Sequence, residues 1–210
     1  MNKEQMITEL RARVIADMSE KRARHTLAVE QMAARLSALY CPEKEQMLRI
    51  AALLHDVTKE WSTARHAAFL AEHGIVPTAM DLAAPKTLHA KTAALLIPEQ
   101  YSEYADDEVI SAVRYHTTGR EDMTVTEQIV YLADYIDDSR TFPDCVTLRN
   151  AFWGAKPEDM TQDERETHLL RVLVQSFVMT IAGLIEDGAP VSADTFLARN
   201  SLILKLKIEK

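Results

Sequence analysis

Imidazole and carboxylate side chains stand inside or at the ends of five apolar helical runs, and no other feature constrains this chain as much. The clearest case is the run Ile50-Ala-Ala-Leu-Leu-His-Asp, which closes on His55-Asp56 and is followed one turn later by Lys59. His25, His89, His116 and Asp134 stand in four other runs. Nitrogen and oxygen donors delivered from several helices, with no cysteine among them, are the means by which a helical protein builds a hydrolytic metal site.

The remaining composition fits that architecture. The 210 residues are enough for a sizeable core. With only 5 glycines and 7 prolines and an abundance of Ala, Leu, Glu, Met and Arg, they favour an all-α fold. A net charge of −8 argues against stable nucleic-acid binding, which calls for a basic surface. Cys41 and Cys145 are far apart in sequence and form no CxxC pair, so a reducing, cytoplasmic setting is expected. The N-terminus lacks the apolar stretch of a secretory signal. No apolar run reaches the roughly 20 residues that a membrane span needs, so no membrane partner is expected.

Apolar periodicity predicts helices over 3–17 and 20–39, then a break at Cys41-Pro42 and a helix ending at His55-Asp56. Further helices are expected over 62–72, stopping at Gly74, over 88–97, stopping at Pro98, over 105–117, and over 124–137 with Thr124 or Thr126 as cap. Residues 75–86 and 141–160 read as irregular, and two closing helices near 163–187 and 192–206 complete the chain. The reading is one domain over 1–210, with a core at about 20–140 and C-terminal helices at about 160–207. Apolar residues on the closing helices, such as Leu169, Leu173 and Phe177, complete the core or form the face of a homodimer, and core is the expected use.

Adjacent residues on a helix point about 100° apart, so His55 and Asp56 can share an ion only near a helix end. Asp56 has two oxygens and can bridge two ions. His25, His55, Asp56 and Asp134 suffice for one ion, and His89 and His116 are available for a second. An all-nitrogen-and-oxygen donor set suits iron or manganese better than structural zinc. Asp134, inside Ile129-Val-Tyr-Leu-Ala-Asp-Tyr-Ile136, is costly to bury without a partner or a metal. His66, His73 and His168 lack apolar framing and are expected at the surface.

Cations gather around these donors in an otherwise acidic chain. Arg22 and Arg24 flank His25, Lys59 follows Asp56, Lys91 follows His89, Arg114 and Arg120 bracket His116, and Arg140 follows Asp134. Their recurrence suggests a positive cleft for a polyanionic substrate, although each alone reads equally well as an ordinary surface charge. Thr117-Thr118-Gly119-Arg120 reads either as a phosphate-contacting loop or as a simple helix C-cap.

The blocks Arg24-His25-Thr-Leu-Ala-Val29, Ala52-Leu-Leu-His55-Asp56-Val-Thr-Lys59, Leu88-His89, Arg114-Tyr-His116-Thr-Thr-Gly-Arg120 and Tyr131-Leu-Ala-Asp134-Tyr-Ile-Asp-Asp-Ser-Arg140 resemble the HD-domain phosphohydrolases. Within these, the chain is similar to the bacterial YqeK-like family of symmetrical bis(5′-nucleosyl)-tetraphosphatases. Ala198-Arg199-Asn200 also looks like that family's ending. The resemblance implies an HD-type helical bundle with metal ligands at His25, His55, Asp56, His89, His116 and Asp134. It further implies a di-iron or similar dinuclear centre and cleavage of diadenosine tetraphosphate into two ADP. One departure is Ala90, where relatives usually have glycine after the third histidine.

On this reading Asp56 serves the ions, and Lys59 is a candidate acid for the leaving group. Arg24, Lys59, Lys91, Arg114, Thr117, Thr118, Arg120 and Arg140 are the expected substrate contacts. Two alternatives stand beside it. One is another HD-type nucleotide phosphohydrolase, and the other is a nucleotide-sensing or ribosome-associated module with little catalysis.

Overall fold

The structure, a computed structural model, describes residues 3–208. Among these residues it contains eleven α-helices and no strand. They are α1 (Lys3–Ala16), α2 (Glu20–Tyr40), α3 (Glu45–Leu54), α4 (Thr63–Glu72), α5 (Ala79–Ala83), α6 (Leu88–Gln100), α7 (Asp107–Tyr115), α8 (Val125–Ile136), α9 (Pro143–Gly154), α10 (Gln162–Glu186) and α11 (Ala193–Ile208).

The short helix α3 lies at the centre. Leu48, Ala51, Ala52, Leu53 and Leu54 are fully buried, and the helix is flanked by α1, α2, α7 and α8. Its polar residues Glu45, Gln46 and Arg49 share one side and keep some exposure, while its apolar residues face these neighbours. Helix α8 is similar, with Ile129, Val130, Leu132 and Ala133 fully buried. Its start is fixed by a reciprocal capping box in which Thr124 and Glu127 satisfy each other's backbone N–H groups. The longer α2 presents Val29, Met32, Ala33 and Leu36 to α3 and α8.

Two stretches read as irregular contain helices. Within 75–86, the short α5 is held by a Thr78–Asp81 capping box and is followed by a 3-10 turn at Pro85–Thr87. Within 141–160, α9 begins with Pro143 at its first turn and buries Leu148 and Phe152. Proline at a helix start needs no N–H partner there, so it initiates rather than interrupts. Pro98 does not end α6 either, which runs on to Gln100.

Helix α10 is long and apolar enough to cross a membrane by length and composition, although Arg171 and Gln175 interrupt its apolar residues. Here its apolar face packs on α9, α8, α2 and α11, with Leu173 and Phe177 fully buried. This is the core use expected for those residues.

The loop after α7 meets this layer at Gly119. Its N–H donates to the Tyr115 carbonyl at 2.8 Å, closing the helix, and its φ of +62° lies in the left-handed region. A Cβ there would lie 2.6 Å from the Phe177 ring and 2.8 Å from Ala198. Glycine therefore meets two requirements at once, a turn and a close approach of α10 and α11.

Candidate metal centre

Five segments bring the six candidate ligands together. His25 comes from the first turns of α2. His55 caps α3, and the chain then leaves the helix at Asp56. His89 lies in the first turn of α6, His116 caps α7, and Asp134 lies near the end of α8. Five of the six thus sit at or near helix ends, where side chains from different helices can turn toward one point. All four histidines and Asp56 are buried, and Asp134 is nearly so.

Asp56 divides the cluster. Its Oδ2 faces His55 Nε2 at 3.3 Å and His25 Nε2 at 3.6 Å, while its Oδ1 faces His89 Nε2 at 3.2 Å and His116 Nε2 at 3.8 Å. Asp134 Oδ1 stands 3.0 Å from His25 Nε2 and 3.7 Å from His55 Nε2. Two triads have donor atoms mutually within 4.8 Å: His25, His55 and Asp134, and His55, Asp56 and His116. His89 is outside both, but its Nε2 is 2.9 Å from that of His116.

The donor set fits divalent metal. His25 Nε2, His55 Nε2 and Asp56 Oδ1 are buried with no hydrogen-bond partner, an expensive arrangement unless a cation satisfies them. The opposite ring nitrogens are already committed. His55 Nδ1 lies 2.6 Å from the Ala52 carbonyl and His116 Nδ1 2.6 Å from the Val113 carbonyl. Each contact favours a proton on Nδ1 and leaves Nε2 as the donor.

For His25 the partner is Asp137, whose fully buried carboxylate lies 3.3 Å from Nδ1. Ser139 donates to Asp137 from both its N–H and its hydroxyl, and Arg149 reaches the Asp137 carbonyl. Neither Asp137 nor Arg149 was identified from the sequence. The spacing of three between Asp134 and Asp137, which puts both on one side of a helix end, was the available signal. Asp137→Asn is expected to lower metal affinity roughly 10–100-fold, measured by chelator competition, because a partner of a ligand is altered rather than a ligand. Unchanged affinity would remove that role.

Charges in the cluster shift one another. Burial opposes ionisation of Asp56 and Asp134. Even so, His55 and His89 hold Asp56 well below the usual carboxylate range, and Arg140 and His25 do the same for Asp134. Burial first, then His89 and His55, push His116 well below the ordinary imidazole value. Burial also depresses Lys59.

Among the expected substrate contacts, several surround the cluster. Arg140 pairs with Asp134, and Lys59 Nζ lies 3.1 Å from His89 Nε2 and 4.0 Å from Asp56 Oδ1. Lys91, Arg114, Thr117 and Thr118 line a common cavity next to His89 and His116 in the chain. The structure corrects two others. Arg24 is exposed and pairs with Glu20 one turn back, and it is Arg22 that reaches Asp56. Arg120 is held by Glu127 and the Glu121 carbonyl, so it anchors the start of α8 instead of facing the cluster. Ala90 is fully buried and does not line the cavity.

His66 is also a correction, since it is buried rather than at the surface. Its Nδ1 lies 2.8 Å from Thr92 Oγ1, and Thr92 and Thr58 both donate to the His89 carbonyl. Burial, then the neighbouring His89, lowers its pKa from 6.5 to about 4. The unfolded chain therefore takes up a proton before the folded one does. The stability His66 contributes is complete above pH 6.5 and is lost as pH falls toward 4. Thermal melts of His66→Gln are expected to show a shallower decline than wild type across that window. Parallel declines would contradict this.

An HD-domain profile matches residues 22–138, a span that contains all six candidate ligands. The chain therefore belongs to the HD-domain family of hydrolases. It is 30% identical to the symmetrical bis(5′-nucleosyl)-tetraphosphatase of Bacillus subtilis strain 168, over 97% of this chain and 98% of that protein. It is also 30% identical to the protein of the same name from Halalkalibacterium halodurans, over 90% and 93% respectively. A crystal structure from Clostridium acetobutylicum, described as a "predicted HD superfamily hydrolase involved in NAD metabolism", superposes with a TM-score of 0.78 at 30% identity. That superposition covers 94% of this chain and 97% of the other.

Proposed function

We propose that this protein hydrolyses diadenosine tetraphosphate symmetrically, giving two ADP, at a dinuclear centre held by His25, His55, Asp56, His89, His116 and Asp134. The observation that carries the reading is the division of Asp56 between two pairs of histidines, with buried donor atoms left without hydrogen bonds. The named relatives support the substrate. Iron is the proposed metal, with manganese as the alternative, because the donors are imidazole and carboxylate only.

Ions bound there would polarise phosphoryl oxygens and supply activated water. The residues of the chain do the rest. Arg22 and Arg140, both partly exposed at the edge of the cluster, offer guanidinium groups that can grip phosphate oxygens in a bidentate way. Lys59 acts as a point charge beside Asp56 and His89, and its depressed pKa suits a proton donor to a departing oxygen. Lys91, Arg114, Thr117 and Thr118 would hold the outer part of the phosphate chain. Symmetrical cleavage then follows from register, with an inner phosphorus facing the ions.

The test is incubation with diadenosine tetraphosphate and chromatographic separation of the products. ADP as sole product is expected. AMP plus ATP would overturn the symmetrical register. Metal bound with no product would favour another nucleotide ester or a sensing role.

A further inference from the structure

The last two helices bury one side and leave the other apolar. In α11, Thr195, Ala198, Ser201 and Leu202 face inward and are buried. The opposite side is a stripe running from Ala193 to Lys207, on which Phe196, Leu197, Ile203 and Leu204 are large and apolar. Phe196, Leu197 and Leu204 are exposed, Leu204 at 61%. A surface helix ordinarily turns charged and polar residues to water, so this stripe is inverted. Helix α10 repeats the feature. Val178, Ala182 and Ile185, spaced four and three residues apart on one side, are all exposed. Less than half of the most apolar stretch of α10 is buried within this chain.

The stripe on α11 is symmetric about the exposed Asn200. Phe196 and Leu204 lie four residues to either side of it, Leu197 and Ile203 three, and Ala193 and Lys207 seven. An antiparallel copy crossing at Asn200 therefore sets Phe196 against the copy's Leu204 and Leu197 against its Ile203. Such reciprocity is what a two-fold contact requires. Charge favours the same direction. Asp194 stands in the first turn of α11, with Glu186 and Asp187 shortly before it, whereas Lys207 stands exposed in the last turn. Antiparallel copies place each basic end over an acidic one and oppose the helix dipoles, and a parallel copy would set like charges together. At the axis, the amide of Asn200 can donate to and accept from its own copy, fixing register as a polar residue in an apolar seam does.

We infer that this face joins two copies of the chain into a two-fold dimer, with α11 crossing its copy at Asn200 and the exposed side of α10 alongside. The inference is independent of the substrate. A lipid surface would also accept an apolar stripe, but it calls for basic residues along the polar flanks. This chain carries a net charge of −8, with acidic residues at one end of the stripe.

The experiment measures the mass of the metal-loaded protein by sedimentation across a concentration series. Wild type is expected at twice the mass of the chain. Phe196→Glu and Leu204→Glu change exposed side chains, so folding is retained, which circular dichroism checks. Each is expected to weaken the dimer roughly 100-fold or more, because each substitution occurs twice across the axis. Val76→Glu, at an 82% exposed apolar residue outside this face, should leave the dimer intact. The crossing is tested with diamide. Asn200→Cys should give a disulfide-linked dimer, whereas Lys207→Cys, about 20 Å from its own copy in this register, should not. Cys41 and Cys145 are buried and contribute no background. A monomeric wild type would overturn the inference, and its binding to neutral lipid vesicles would assign the face to a membrane instead. A dimer that survives both glutamate variants would also overturn it. So would linkage through Lys207→Cys and not through Asn200→Cys.

Discussion

Asp56→Ala is expected to remove bound metal and to reduce turnover by about 10³-fold or more, since several kcal/mol of charge stabilisation disappears with the ions. The effect is large because one carboxylate faces four imidazoles. Its Oδ2 lies within 3.6 Å of His25 and His55, and its Oδ1 within 3.8 Å of His89 and His116. No other ligand touches both halves of the cluster in this way. Asp56 follows α3 rather than lying inside it, so helicity should be largely retained, and circular dichroism checks this. Asp56→Asn preserves the shape and is expected to behave alike. A variant that is active and metal-free would contradict the mechanism.

The second large effect concerns stability. Gly119→Ala is expected to cost on the order of 2–4 kcal/mol, combining left-handed backbone strain with overlap on Phe177. For a chain of this length that corresponds to a fall of roughly 5–15 °C in Tm. Gly74→Ala provides the comparison. Gly74 has φ +71°, but nothing lies within 4 Å of an added Cβ. Its cost is the backbone contribution alone, about 1 kcal/mol. The difference between the two variants isolates the contact of the Thr117–Arg120 loop with α10 and α11. Equal losses would show that this contact carries no weight.

All six candidate ligands were legible in the sequence, because a polar residue in an apolar helical run is conspicuous against its background. The partners of those residues were less so. Arg22 lies three positions before His25 and therefore on the same face of α2, whereas Arg24 is turned about 100° away. That spacing was present in the sequence, but proximity along the chain favoured Arg24, the immediate neighbour of His25. His66 is the analogous case in α4. It lies four residues before the buried Leu70 and so shares its face. Asp137 and Arg149 act through long-range contacts around a loop, and periodicity carries no information on such pairs. Helices α5 and α9 were obscured by nearby prolines, whose role as starters depends on where the helix begins.

The most direct test is the metal-to-protein ratio of enzyme purified without oxygen, with conversion of diadenosine tetraphosphate followed on the same sample. About two ions per chain, with ADP as sole product and both lost together on chelation, is the predicted result. Undiminished ADP formation in a sample stripped of metal would contradict the account at its centre.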